Sequence, residues 1–101
     1  MPYQIEFAPS AEREFKKLPK AVQTPLAREI DSLSTNPHPD GAEKIAQIDH
    51  CYRIRQGDYR IIYVVHDSVL VVLVVRIGNR REVYKNMPLL KKLVKQWESH
   101  R

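Results

Sequence analysis

The sequence predicts a single α+β domain in the order β-α-α-β-β-β-α. Its sheet should be largely antiparallel and twisted, with an N-terminal helical hairpin and a C-terminal helix. Apolar residues recur at helical spacing in two blocks, near residues 11–33 and 90–97. Between them lie valine- and isoleucine-rich runs bounded by turn residues. The length of 101 residues, 43% apolar and 29% charged, supports one modest core and leaves no room for a second domain.

Tyr3, Ile5 and Phe7 alternate with Gln4 and Glu6, the period-two pattern of a half-buried strand. Pro9-Ser10 punctuates, and Ser10 is a candidate N-cap for a short helix carrying Ala11, Phe15 and Leu18. Leu18-Pro19 ends that helix, and Pro19 suits the first position of the next. Val22, Leu26, Ile30 and Leu33 form one apolar stripe, with a late start or a kink expected near Pro25. Residues 34–41 are a loop by every turn signal. Glu43 to Ile48 is at most a short edge strand. Cys51 to Gln56 and Tyr59 to His66 read as a hairpin with a type II′ turn at Gly57-Asp58. A second hairpin turns at Asp67-Ser68 into Val69 to Ile77. From Asn86-Met87-Pro88 onward, Leu90, Leu93, Val94 and Trp97 form one helical face and Lys91, Lys92, Lys95 and Gln96 the other.

Several function classes drop out. Ile61 to Ile77 is apolar for 17 residues but broken by His66-Asp67-Ser68, and ten of the 17 are valine or isoleucine, so it is strand rather than membrane span. The one cysteine, Cys51, cannot form an internal disulfide, and no signal-peptide pattern is visible, so a cytoplasmic location is expected. Four scattered histidines without acid clusters predict no metal site, and no glycine-rich phosphate loop is present. Cys51 reads as a small core or edge residue, and Trp97 as a core residue. Charge is lopsided: residues 1–50 carry six basic and eight acidic side chains (−2), residues 51–101 eleven and four (+7). Such asymmetry points to a polyanion or an acidic protein partner, or to a plain solvated basic face.

The II′ turn fixes a register that sets Arg55 opposite Arg60 and Arg53 opposite Ile62. Arg53, Arg55 and Arg60 then share one face of the sheet, and Tyr52, Ile54, Tyr59, Ile61 and Tyr63 the other. Opposed guanidinium groups repel, and a phosphate-sized anion would relieve that repulsion. The plainer alternative is arginines splayed into water with their stems over Ile62 or Val64. A second basic knot, Arg76-Ile77-Gly78-Asn79-Arg80-Arg81-Glu82-Val83-Tyr84, follows, with Gly78 expected to turn the backbone at the strand's end. Its alternative reading is a plain connector with Glu82 paired to a neighbouring arginine.

Cys51-Tyr52-Arg53-Ile54-Arg55, Gly57-Asp58-Tyr59-Arg60-Ile61-Ile62-Tyr63 and Ile77-Gly78-Asn79-Arg80-Arg81-Glu82-Val83-Tyr84, in that order and spacing, resemble the signature of RelE-type toxins of the RelE/ParE superfamily. The resemblance implies the toxin of a type II toxin–antitoxin pair that enters the ribosomal A site and cuts the exposed mRNA codon, with no metal or other cofactor. It implies catalytic roles for Arg55, Arg60, Arg80 and Tyr84, and RNA or phosphate binding by Arg53, Arg81 and Lys85. Its implied partners are a RelB-like acidic antitoxin, the ribosome and mRNA, with no membrane. Three positions depart from the family: Arg53 and Arg55 stand where lysine is common, and Asn79 where histidine is. Arginine stays protonated, so activation of the 2′-hydroxyl shifts toward Tyr84 or becomes substrate positioning. A ParE-like toxin acting on DNA gyrase and a non-catalytic basic RNA-binding module are the alternatives.

Overall fold

The structure, a computed structural model, describes residues 2–99. The elements are β1 (Gln4–Phe7), α1 (Pro9–Lys16), α2 (Lys20–Ser32), β2 (Glu43–Lys44), β3 (Cys51–Gln56), β4 (Tyr59–His66), β5 (Val71–Asn79), a 3-10 turn (Glu82–Tyr84) and α3 (Met87–Ser99). They make an α+β fold around one five-stranded sheet ordered β1-β5-β4-β3-β2. Every neighbouring pair is antiparallel except β1 with β5, which run parallel.

Helices cover both faces of this sheet. Leu26 and Ile30 of α2, its C-cap Leu33 and Ala11 of α1 pack on Ile54, Ile61, Tyr63, Val72 and Val74. On the opposite face, Leu90 and Val94 of α3 pack on Cys51, Ile62, Val64, Leu73 and Val75. Residues 61–65 of β4 and 71–75 of β5 are therefore buried without alternation, which explains their unbroken apolar runs.

Several local expectations need correction. α1 begins at Pro9, one residue before Ser10, and its N-cap Ala8 is 2% exposed with no side-chain cap. A proline at the first helical position already lacks the amide a cap would satisfy. Pro19 is the N-cap of α2, not its first residue, and the helix starts there without delay and runs through Pro25. The carbonyl that Pro25 leaves unpaired belongs to Ala21, an exposed residue, where water can take the lost bond. Gln23 Nε2 donates to the carbonyls of Phe15 and Leu18 (3.1 and 2.9 Å), closing the end of α1 against α2. The edge strand contains only Glu43–Lys44, yet it makes the sheet five-stranded. The second hairpin uses a four-residue loop, since His66 pairs with Val71 and Leu70 takes a left-handed φ of 54°. β5 consequently starts two residues later than expected and runs on to Asn79.

Two features position the cleft described next. Gly57 has φ +62°, while Asp58 is not among the positive-φ residues, the combination a II′ turn requires. A bulge between Ile62 and Tyr63 pairs them with Arg76 and Val74, leaving Val75 as the extra residue of β5. Val75 packs in the α3 core, and Arg76 reaches the carbonyls of Val83 and Lys85, so consecutive residues serve the same side.

Candidate nucleic-acid interface

The β3–β4 hairpin sets Arg55 opposite Arg60 and Arg53 opposite Ile62, the register derived from the turn. Arg60 also faces Gly78 on β5. Gly78 does not turn the chain: it is a strand residue, and the backbone of Val83 and the Cβ of Glu82 lie 3.5–3.6 Å from where its own Cβ would be. The turn follows Asn79, whose Oδ1 accepts from the amides of Arg81 (3.1 Å) and Glu82 (2.9 Å). Such a cap fixes Arg80 and Arg81 at the rim.

The result is a cleft of about 380 Å³ lined by Arg55, Arg60, Arg80, Arg81, Gly57, Asp58 and Asn79. Four guanidinium groups against the single carboxylate of Asp58 make it strongly cationic. Arg55 is oriented by its own turn, Nε donating to Gly57 O at 3.1 Å.

A narrower groove of about 140 Å³, lined by Gly41, Glu43, Arg53, Ile54, Arg55 and Arg60, continues from that cleft. Beyond it a third cleft, about 380 Å³, is lined by Lys44, Ile45, Ala46, Gln47, Arg53, Tyr84 and Met87. Arg53 bridges the two. Its Nη1 donates to the Tyr84 hydroxyl in a short hydrogen bond, its Cζ lies 5.5 Å from the Tyr84 ring centre, and its Nη2 meets Glu43 Oε2 at 2.6 Å. The Glu43 carboxylate first, and the Tyr84 hydroxyl second, hold Arg53 more firmly protonated than an ordinary guanidinium. Tyr84 itself is carried by the 3-10 turn, which Arg76 Nη1 ties down through the carbonyls of Val83 (3.1 Å) and Lys85 (2.5 Å).

Six of the seven sequence-predicted residues thus lie along these three connected clefts: Arg55, Arg60, Arg80 and Arg81 in the first, Arg53 and Tyr84 in the third. Lys85 lines none of the three. Its ammonium sits 3.7 Å from Glu82, so Glu82 pairs with a lysine rather than with a neighbouring arginine. Sequence reasoning missed Glu43 and the tethering role of Arg76. Glu43 becomes visible only once β2 is paired to β3, where it lies opposite Arg53. Arg76 lies in a run whose alternation the bulge breaks. Cys51 and Trp97 are core residues, as expected; burial pushes the Cys51 thiol up to about 12.

This architecture has counterparts among known proteins. Residues 5–84 match the sequence model of the ParE toxin of type II toxin–antitoxin systems. An Escherichia coli protein provisionally named as a RelE-like toxin is 38% identical over 82 residues, covering 79% of this chain and 85% of that one. The mRNA interferase toxin RelE of Escherichia coli is 33% identical over 88 residues, covering 83% and 92%. The crystal structure of the intact Escherichia coli RelBE toxin–antitoxin complex superposes with a TM-score of 0.71 at 27% identity, over 79% of this chain and 99% of that one. The chain belongs to the RelE/ParE superfamily of toxins. Within it, relatives 38% and 33% identical that carry RelE-type names make it a RelE-like toxin of a type II toxin–antitoxin system.

Proposed function

We propose that this chain is a ribosome-dependent endoribonuclease that cuts mRNA codons in the A site by attack of an internal 2′-hydroxyl. The observation that carries the reading is the convergence of Arg55, Arg60, Arg80 and Arg81 on one cleft that continues to the Arg53–Tyr84 pair. A relative 33% identical is itself named an mRNA interferase.

In-line scission requires a group to take or orient the 2′-hydroxyl proton, cations to stabilise the phosphorane, and support for the departing 5′-oxygen. As the 2′-oxygen bonds to phosphorus its proton passes to solvent water, and as the bond to the 5′-oxygen breaks that oxygen takes a proton from solvent water, leaving a 2′,3′-cyclic phosphate and a 5′-hydroxyl end. Arg55 and Arg60 face the phosphate oxygens, and Arg80 places its charge at the leaving oxygen. The Tyr84 hydroxyl, whose oxygen accepts from Arg53 Nη1, orients the 2′-hydroxyl. All five arginines remain cations throughout, so the site works by positioning and electrostatics, and the ribosome presents the codon in the required geometry.

The partner in this reading is a RelB-like antitoxin, the kind of protein bound to RelE in the Escherichia coli complex. An acidic antitoxin would complement the basic second half of the chain. The test is to map mRNA 5′ ends on programmed, translating ribosomes with and without the purified chain. New ends inside the A-site codon, absent from naked mRNA, are expected. The match to a ParE sequence model favours one second reading, action on DNA gyrase. Loss of supercoiling activity without new mRNA ends would establish it and leave the arginines as a binding surface.

A further inference from the structure

Glu43 is a carboxylate set inside a groove otherwise built for anions. It shares that groove with Arg53, Arg55 and Arg60, and its Oε2 lies 2.6 Å from Arg53 Nη2. With Nη1 donating to Tyr84 and Nη2 to Glu43, both ends of the Arg53 guanidinium are engaged. A carboxylate at that distance presents to the guanidinium what a phosphate oxygen of bound RNA would present. We propose that Glu43 is a specificity-determining residue: in the free protein it occupies the place of an RNA phosphate on Arg53, and single-stranded RNA must displace it to bind. The proposal rests on the reading of this groove as an RNA site.

Energetics favour a displaceable contact over a fixed one. Glu43 is the first residue of a two-residue edge strand, and its side chain is 66% exposed. Ion pairs of that exposure are weak, because water screens them and two long side chains must be held still. A phosphate brings more acceptor oxygens to the same guanidinium and releases counterions as it binds. Glu43 therefore lowers the affinity for a loosely presented strand while leaving the site open to one held in register. A purely structural role is the competing account, since Glu43 and Arg53 are also cross-strand neighbours.

The probe is a fluorescent single-stranded RNA oligomer fully 2′-O-methylated, so that no 2′-hydroxyl is free to attack. Its affinity is followed by anisotropy between about 50 and 200 mM salt. Glu43→Gln keeps an acceptor for Arg53 but removes the competing charge. It should bind about two- to five-fold tighter, the scale of one exposed ion pair, and steepen the log K against log salt slope by about 0.7, one further phosphate contact on a single strand. On an Arg53→Gln background the same change should do neither. Unaltered affinity and slope in Glu43→Gln overturns the proposal. So does an equal gain in both backgrounds, which would mark a general charge effect, and so does a lack of binding by every variant. Thermal melts of the variants expose the structural account, which predicts lost stability without a changed salt slope. If the predicted binding pattern appears while ribosomes yield no new mRNA ends, the cleavage reading fails and the role of Glu43 stands.

Discussion

Arg60 and Arg80 reach the same cleft from opposite directions, one from the sheet and one from the turn after it. Each positioned donor to developing charge is worth about 3–4 kcal/mol in the transition state. Arg60→Ala or Arg80→Ala should therefore slow codon cleavage on ribosomes at least ~100-fold; near-native cutting by either variant removes that residue from the machinery. Cys51 makes a different point, since burial first of all raises its thiol to about 12 from an ordinary 9.0. A group whose folded pKa is raised adds stability that is complete below the unfolded value and is lost as pH rises toward the folded one. The chain should lose stability between pH 9.0 and about 12, with this thiol contributing up to ~1.4 kcal/mol per pH unit. Urea titrations across that range should show a shallower decline for Cys51→Ala, and parallel slopes would refute the assignment.

Among the elements, the bulged β5 does the most to shape the site. If β5 alternated strictly through Val75, Arg76 would face the α1–α2 layer, and the segment carrying Tyr84 would lose its tether. Arg76→Met keeps the apolar stem but abandons the carbonyls of Val83 and Lys85. Hydrogen bonds from a charged donor are worth about 1.5–3 kcal/mol, and the variant should lose about that much stability in urea. Displacing Tyr84 should cost cleavage up to ~100-fold; full activity with native stability would show that the tether is idle. The bulge also marks where the sequence stops being legible. The β3–β4 hairpin, its turn and its register can be read residue by residue, because Gly57 dictates the turn and the turn dictates the pairing. The apolar stripe of α2 is equally plain. Strand ends are not, because β4 and β5 are covered on both faces and their apolar runs have no alternation to mark a boundary or a bulge. Within the site, the arginine cluster is visible from the hairpin register alone. The contact between Arg53 and Tyr84 spans 31 positions, and that between Glu43 and Arg53 depends on a two-residue strand with no pattern of its own.

On the scale of the whole molecule, the sheet is completed at one edge by a parallel pair, β1 with β5. β1 lies beside β5, with Gln4 to Phe7 facing Val71 to Val74, and the Ala8 amide donates to Val74 O at 2.8 Å. β1 also brings Ile5 and Phe7 to the core beneath α1 and α2. Both are partly buried, so together they contribute less than the ~3–6 kcal/mol of full burial, yet still a substantial share of the ~5–15 kcal/mol that holds a domain together. A chain lacking residues 1–7 should show no cooperative urea transition by circular dichroism; a native midpoint would mean that β5 tolerates an open edge. The same pairing imposes a schedule on the chain as it is made. Val71 follows Gln4 by 67 positions, an interval of about 3–13 s at ~5–20 residues per second of synthesis. Through that interval the first strand has no neighbour to join, and the stripe on α2 has no completed sheet to cover. The arginine cleft takes its walls from β3, β4 and the residues that follow β5, so it is assembled late. A growing chain presents no finished cleft to its surroundings until translation has passed Tyr84.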